Sequence, residues 1–487
     1  MNLSVLSPDE FLDKDRWKES MVTPNKDLIV EYQSVKSAYF TAYPSPGTWY
    51  EGFSSQDYGN AIIEVLSRNP ELPIQFYVHF PYCKIQCWFC QCYQMVTHDR
   101  DKMETMVNYL IKEMDLLLAL FKKHGLKPNF NELHLGGGTP SWLPIDLFDR
   151  LVDKIGTFID LKKIHEFAIE VDPRTADVEK IKHFHSKGVN RISFGIQDFA
   201  PQVGKAVNRE HTEAEIAELL KTRHLFKGVN FDLIYGLPRQ TRESLKETLD
   251  TVFRLSPDRI AFSILGNRPD VFKHNAMMKI EEIPGLIERA YMWEDSFPAF
   301  LKAGYVRVGM DHFAKPNDEI AQAKYKETLF RNQMGYSPGR FADVCAIGPS
   351  GMSRYGEYYF ASSYNIPDYF EFIDEGKFPV VRGYKLDKDL EIRRDIMNKI
   401  MVYYHVNYDY FSHLYNIDFK KYFAQEIEEL KEFEGINAIQ MKENSFTVTY
   451  FGNYFLRNLC LVFDKLNLKY MHNIESGKVI RKEKVVV

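Results

Sequence analysis

The sequence predicts an α/β protein: a partial (β/α)6 barrel, preceded by an N-terminal extension and followed by a mostly helical C-terminal domain. Three observations predict it. The chain has 487 residues, 45% of them hydrophobic, which is enough for a large core and more than one domain. From about residue 74, short apolar runs alternate with longer amphipathic stretches at spacings of roughly 30 to 40 residues, the rhythm of βα units around a parallel sheet. After about residue 385 that rhythm stops and helical periods dominate. The divisions fall at 1–70, 71–385 and 386–487.

Taken in order, the first 70 residues are polar and turn-rich, and Tyr43-Pro44-Ser45-Pro46-Gly47 reads as loop. Strands are predicted at Gln75–Phe80, Glu132–Leu135, Glu166–Val171, Arg191–Gly195, Asn230–Ile234 and Arg259–Ser263. Met103–Lys122 and Glu213–Phe226 carry helical periodicity between them. The six units suggest the partial barrel, and periodicity by itself does not exclude a complete barrel of eight. In the last division, Asp387–Val402, Phe419–Phe433 and Asn453–Leu466 read as helices, and Ser445–Tyr450 alternates like a short strand. Such a helix–strand ending resembles a winged-helix unit, here structural or a substrate cover.

Charge and composition exclude several functions. A net charge of −5 argues against a nucleic-acid surface, and Arg481, Lys482 and Lys484 form only a short basic tail. The N-terminus lacks a basic run followed by an apolar one, and no apolar stretch approaches the roughly 18 residues of a membrane span. The expected setting is the cytoplasm, without membrane or nucleic acid.

Four of the six cysteines, at 83, 87, 90 and 92, crowd into one segment directly after a predicted strand. In a cytoplasmic chain this points to metal or redox chemistry rather than to disulfides. Cys345 and Cys460 stand alone and read as core thiols. The spacing Cys83-x3-Cys87-x2-Cys90 offers three thiolates, one too few to saturate a four-iron cubane. The open iron can take the amino and carboxylate groups of S-adenosylmethionine (SAM), whose one-electron cleavage releases a 5′-deoxyadenosyl radical. The rival is a zinc site completed by Cys92 and His98, although zinc favours paired knuckles. Trp88 and Phe89 supply an apolar collar.

Gly136-Gly137-Gly138-Thr139-Pro140 follows the second strand and permits close approach of backbone to ligand. It lacks the Lys-Ser/Thr of a phosphate loop; a tight strand–helix turn is its alternative. Glu170, Asp172, Asp232, Gln197 and Arg209 sit at or near strand ends, where parallel α/β folds bind ligands. Each is individually compatible with a loop solvator or a cap.

These motifs together resemble the oxygen-independent coproporphyrinogen III oxidase family from about Tyr39 to Arg481. The resemblance rests on Tyr77-Val-His-Phe-Pro-Tyr-Cys83, Cys87-Trp-Phe-Cys90-Gln-Cys92, His134-Leu-Gly-Gly-Gly-Thr-Pro140, Ile169-Glu-Val-Asp-Pro-Arg174 and Asn190-Arg-Ile-Ser-Phe-Gly-Ile-Gln-Asp-Phe199. It continues in Val207-Asn-Arg-Glu210, Asn230-Phe-Asp-Leu-Ile-Tyr-Gly-Leu-Pro238, Gly309-Met-Asp-His-Phe-Ala314, Ile392-Arg-Arg-Asp395 and Arg457-Asn-Leu-Cys460.

The resemblance implies a radical SAM barrel of the (β/α)6 type, a [4Fe-4S] cluster on Cys83, Cys87 and Cys90, and two SAM molecules. Tyr77, Gly137, Glu170 and the backbone at Met352 would serve one SAM. Phe89, Gly138, Thr139, Gln197, Arg209, Asp232 and the backbone at Gly266 would serve the other. It implies oxidative decarboxylation of two propionates of coproporphyrinogen III to give protoporphyrinogen IX in haem biosynthesis. It also implies a flavodoxin- or ferredoxin-type electron donor and a monomer.

Departures from the family pattern fall where substrate would sit. Ile264-Leu265-Gly266-Asn267-Arg268 replaces an Asn-Tyr-Ala-His type run, and Tyr39-Phe40 stands where the family has an Arg. Gln91 replaces a glycine, and Ser337–Cys345 replaces a Thr- and Asp-rich loop. Tetrapyrrole carboxylates need cationic partners, a role open to Arg268 and Arg340. Two other readings are therefore carried: a paralogue using two SAM molecules for methyl or methylene transfer, as in anaerobic haem opening, and a non-catalytic haem carrier with His274 and His312 as axial ligands.

Overall fold

In a computed structural model the described residues are 25–35, 42–340 and 343–466, the side chains of 33–35 and 340 excepted. The predicted strands are present, β3 at the bounds read and the other five somewhat longer: β1 (Pro73–Phe80), β2 (Asn129–Gly137), β3 (Glu166–Val171), β4 (Arg191–Gln197), β5 (Gly228–Tyr235) and β6 (Arg259–Ile264). They lie side by side in chain order, all parallel.

The six helices that follow them are α1 (Arg100–His124), α2 (Ile145–Ile155), α3 (Val178–Ser186), α4 (Glu213–Leu220), α5 (Arg242–Leu255) and α6 (Leu286–Lys302). Local chemistry sets their ends. Asp99 caps α1 by accepting from Asp101 and Lys102 N–H, and Gly125 ends it in the left-handed region. Thr212 with Glu215, and Thr241 with Ser244, form reciprocal capping boxes on α4 and α5. Along α1, Met103, Met106, Val107, Leu110, Met114, Leu117 and Phe121 make a buried stripe at helical spacing.

The sheet does not close. Beyond β6, β7 (Val306–Val308) and β8 (His312–Ala314) add antiparallel strands. Beyond β1, β9 (Val344–Ile347) pairs in parallel. It is followed antiparallel by β10 (Met352–Tyr355), β11 (Tyr358–Ser362), β12 (Val380–Lys385) and the short strand Tyr50–Glu51, for 13 strands in all. A partial barrel with antiparallel wings is the result.

Two cores form. The first fills the sheet and its helices. The second gathers α7 (Lys388–Tyr403), α8 (Ala424–Gly435) and α9 (Leu456–Val462) around a small sheet of β13 (His405–Asn407), β14 (Ile439–Lys442) and β15 (Ser445–Val448).

Some local readings need correction. The polar, turn-rich N-terminal stretch also holds helix and core residues. Helix Ser55–Arg68 packs into the first core through Tyr58, Ala61, Ile62 and Val65, while Ile29, Tyr32, Tyr43 and Trp49 belong to the second. The Glu213–Phe226 helix stops at Leu220 and re-forms as a turn at Arg223–Leu225. Phe419–Phe433 divides at Phe423, and Asn453–Leu466 shortens to α9 after a turn at Phe451–Phe455. Tyr39, Phe40 and the basic tail at Arg481, Lys482 and Lys484 lie outside the described residues, as does the side chain of Arg340. Among the described residues no helix is long and apolar enough to cross a membrane.

One buried carboxyl gives the fold a testable pH dependence. Glu113 of α1 accepts from Tyr369 Oη at 2.6 Å and from Gly348 N–H at 2.8 Å, tying α1 to the turn after β9. Burial pushes this carboxyl up to about 7, against the pull of those two bonds. Because the folded value lies above the unfolded one, folding takes up a proton, and stability falls as pH rises from about 4.5 to about 7. Relative to Glu113→Gln, the wild type therefore loses about 3 kcal/mol across that window, at about 1.4 kcal/mol per unit. Urea denaturation of both proteins at several pH values measures it. Parallel stability curves would show that Glu113 stays ionised throughout.

Candidate active site

The cysteine loop leaves β1 at its carboxyl end. Tyr82–Cys83 pairs with Met95–Val96, so the loop closes on itself. Between them the backbone finds partners elsewhere, as irregular backbone must. Trp88 N–H donates to Val207 O at 3.0 Å and Asn208 Nδ2 to Gln86 O at 2.8 Å. Asn275 Nδ2 donates to Trp88 O at 2.7 Å, and His274 Nε2 donates to Cys90 O at 2.6 Å. The segments after β4 and β6 thus strap the loop down. Trp88 and Phe89 pack with Val203, Val207, Leu237 and Leu265, the collar the sequence suggests.

Cys83 and Cys87 are buried, Cys90 partly so and Cys92 exposed. Thr139 Oγ1 donates to Cys83 Sγ at 3.1 Å. Burial pushes the Cys83 thiol up to about 12 in spite of that bond. A hydrogen bond from Cys92 holds Cys90 below the ordinary thiol range. Arg174 Nη2 donates to Cys87 Sγ at 3.3 Å, and Arg209 Nη1 stands 3.7 Å from the same sulfur.

Both arginines converge on Asp172. Arg174 Nη2 reaches it at 2.7 Å and Arg209 through Nη1. Burial works against the Asp172 carboxylate, but Arg209 and then Arg174 outweigh it and hold it below the usual range. Arg209 also donates through Nε to Gly195 O at 3.1 Å.

The glycine run lies against this loop. Gly138 N–H donates to Phe80 O at 2.7 Å, and Thr139 N–H to Tyr82 O at 2.9 Å. A Cβ on Gly138 would stand 2.8 Å from the Pro81 carbonyl carbon and from Tyr82 O, both backbone. Gly138→Ala therefore has to displace the cysteine loop. We expect several-fold less iron and sulfide per chain after anaerobic reconstitution with unchanged far-ultraviolet dichroism. Full iron loading would show that the loop yields freely.

Gly137, at φ +109°, donates to Glu170 Oε2 at 3.2 Å, and His134 Nε2 lies 3.1 Å from Glu170 Oε1. A Cβ on Gly136 would meet Glu170 Oε1 at 2.8 Å and the Tyr77 ring at 3.0 Å. Tyr77, the glycine turn and Glu170 are thus one contact group across β1, β2 and β3. Met352 begins β10, two strands from β1 along the sheet. Burial opposes the His134 imidazolium, yet Glu170 raises it above its usual value.

Apart from Phe89, Gly138 and Thr139, the second set spreads over the ends of β4 and β6 and over β5. A Cβ on Gly195 would meet Arg209 Nη2 at 2.6 Å and Gln197 Nε2 at 3.0 Å. Gln197 takes the left-handed conformation, φ +68°, beside a register shift against β5. Such backbone strain gathers at functional sites. Asp232 pairs in register with Gly195 and accepts from Ser193 Oγ at 3.0 Å and Asn230 Nδ2 at 2.7 Å. Burial, then the charge of Glu170, raises its carboxyl above the usual value. Gly266 is covered by the Gln91 side chain, whose Nε2 would stand 2.6 Å from an added Cβ.

The donor set suits an anionic thiolate-bound group: two buried sulfurs, each met by a hydrogen-bond donor, and a third on the same loop. Among the described residues no three His, Cys, Asp or Glu side chains are placed to hold a single metal ion. Sequence reasoning missed Arg174, Asn208 and Asn275, all bound to the cysteine loop, and His134 on Glu170. Arg174 stood in the Asp-Pro-Arg run, but nothing in that run told which sulfur it meets. Arg268 sits in an exposed pair with Asp270, and His274 is engaged with the cysteine loop.

The model of the Radical SAM superfamily matches residues 77–252. An oxygen-independent coproporphyrinogen III oxidase of Pseudomonas aeruginosa is 31% identical over 460 residues, 93% of this chain and 97% of the relative. One of Helicobacter pylori is 33% identical over 433 residues, 87% of this chain and 93% of the relative. The solved coproporphyrinogen III oxidase (HemN) from Escherichia coli, described as a radical SAM enzyme, superposes with a TM-score of 0.82 at 32% identity, covering 89% of this chain and 100% of that one. With identity above 30% over nearly the whole length of both proteins and the same fold, this chain belongs to the oxygen-independent coproporphyrinogen III oxidase family of radical SAM proteins.

Proposed function

We propose that this chain carries out the anaerobic oxidative decarboxylation of coproporphyrinogen III to protoporphyrinogen IX. The observation that carries the proposal is the braced cysteine loop standing beside the Tyr77–Gly137–Glu170 group. Cys83, Cys87 and Cys90 would hold a [4Fe-4S] cluster, with Cys92 left out. Bound there, the cluster would supply the electron that cleaves SAM to a 5′-deoxyadenosyl radical, which takes hydrogen from substrate.

The chain's own residues bind and orient. Glu170 keeps a partly exposed carboxylate, 40% of its side chain, for an amino group, and Gly137 lets the backbone come close. Tyr77 and the Met352 backbone complete one SAM position. Phe89, Gly138, Thr139, Gln197, Arg209, Asp232 and the Gly266 backbone are assigned to a second. The apolar packing of Trp88 and Phe89 limits water at the sulfurs. A cytoplasmic setting suits six free cysteines; a flavodoxin- or ferredoxin-type donor and a monomeric state rest on the family resemblance.

A second reading is methyl or methylene transfer from two SAM molecules. Arg268, offered as a partner for a tetrapyrrole carboxylate, is instead engaged in an exposed pair with Asp270. One experiment separates the readings. The reconstituted protein is incubated anaerobically with SAM, reductant and coproporphyrinogen III, and the products are analysed by mass. Loss of two carbon dioxides and four hydrogens is expected. Gain of a methyl or methylene group would replace the first reading with the second, and bound haem with no SAM cleavage would leave only a haem carrier.

A further inference from the structure

We propose that Arg174 sets the reduction potential of the cluster through its hydrogen bond to Cys87 Sγ, and that Asp172 positions it. The proposal rests on the assignment of a [4Fe-4S] cluster to Cys83, Cys87 and Cys90. Three observations support it. Arg174 Nη2 donates to Cys87 Sγ at 3.3 Å. The guanidinium is fixed on its other edges, through Nε to Asp172 Oδ1 at 3.0 Å and Nη1 to Asn208 O at 3.0 Å. The group is withdrawn from water, with 15% of the Arg174 side chain and 7% of the Asp172 side chain exposed.

Asp172, Arg174 and Arg209 together carry one net positive charge against the Cys87 sulfur. Reduction adds one electron to a thiolate-bound cluster already negative overall. A fixed donor and a nearby positive charge stabilise the more negative state, and both act more strongly in a poorly hydrated site. Outer groups that bond to first-sphere ligands tune metal centres in this way. Arg174 belongs to neither group of residues assigned to SAM, so its role falls on the sulfur side of the site.

The test is an electron paramagnetic resonance titration of the reconstituted protein, without substrate, against dithionite and mediators. At a fixed solution potential, Arg174→Gln should lower the ratio of reduced to oxidised cluster about tenfold, which for a one-electron couple is a midpoint about 59 mV more negative. Arg174→Lys, which keeps the charge, should lie between Arg174→Gln and wild type. Asp172→Asn removes the opposing charge and should move the midpoint the other way. A purely bracing role would change iron content per chain but leave the midpoint of the loaded fraction at the wild-type value, and that result overturns the proposal. If Arg174→Gln takes up no cluster, Asp172→Asn decides, since a midpoint that does not rise is equally fatal. A wild-type chain with no four-iron signal would instead defeat the cluster assignment itself.

Discussion

Cys87→Ala gives a chain that folds but, after anaerobic reconstitution, shows neither the broad visible absorbance of an iron–sulfur cluster nor cleavage of SAM. Cys87 is the sulfur on which the loop and the barrel meet. Its thiol is buried and is met by Arg174 at 3.3 Å and by Arg209 at 3.7 Å. Two ligands cannot replace three on a cubane that already keeps one iron open. Fold stability should change little, because the loop backbone is tied by Val207, Asn208 and Asn275 rather than by the thiol. Iron analysis, absorbance and chromatographic detection of 5′-deoxyadenosine measure the result. The companion Cys92→Ala should keep both signals, since Cys92 is the exposed member of the four. SAM cleavage by an iron-free Cys87→Ala protein would end the radical SAM reading.

Asp172→Ala should be the most damaging single change near the site that spares the cysteines. It leaves Arg174 and Arg209, with 15% and 8% of their side chains exposed, side by side without their shared anion. Removing one partner from a buried ion pair costs about 3–5 kcal/mol, because a buried charge loses its compensation. Asp172 also caps the turn Pro173–Thr175 by accepting from Arg174 N–H at 3.0 Å. Equilibrium urea denaturation of apoprotein measures the loss, and the sign of its pH dependence is fixed. The Asp172 carboxyl is held below its unfolded value, so its contribution is complete above about pH 5 and fades as pH falls through the folded value. The gap between wild type and Asp172→Ala should therefore close in acid. A gap that is small at pH 7, or that widens in acid, would mean the arginines find other partners.

The elements read best from sequence were those with a long, one-signed signal. β3 matches its predicted bounds, Glu166–Val171, because Phe167, Ile169 and Val171 alternate on a buried face and Asp172-Pro173 ends the strand. The wings were not read. β7 to β11 are three to five residues each, too short for a period of two to stand out. Helix Ser55–Arg68 was missed because its polar face dominates the composition, although its capping residue Ser54 and its Asp57 formed a usable signal. In the site, the hydrogen bond from the Thr139 hydroxyl to Cys83 was not legible in the sequence, because it joins two loops 56 residues apart.

By itself the sequence determined that three thiols share one short loop at the end of the first of six parallel strands, and that a glycine turn and Glu170 follow on the next two. Spacing and periodicity carry that information, because both act along the chain. Only the tertiary structure decided which groups face the sulfurs: Thr139 on Cys83, Arg174 and Arg209 on Cys87, and Asp172 between the two arginines. Those partners come from the ends of different strands, and hydrogen bonds depend on distance and direction to within fractions of an ångström. Inter-strand register and the path of each strand-end turn set such distances, and neither leaves a periodic trace in the sequence.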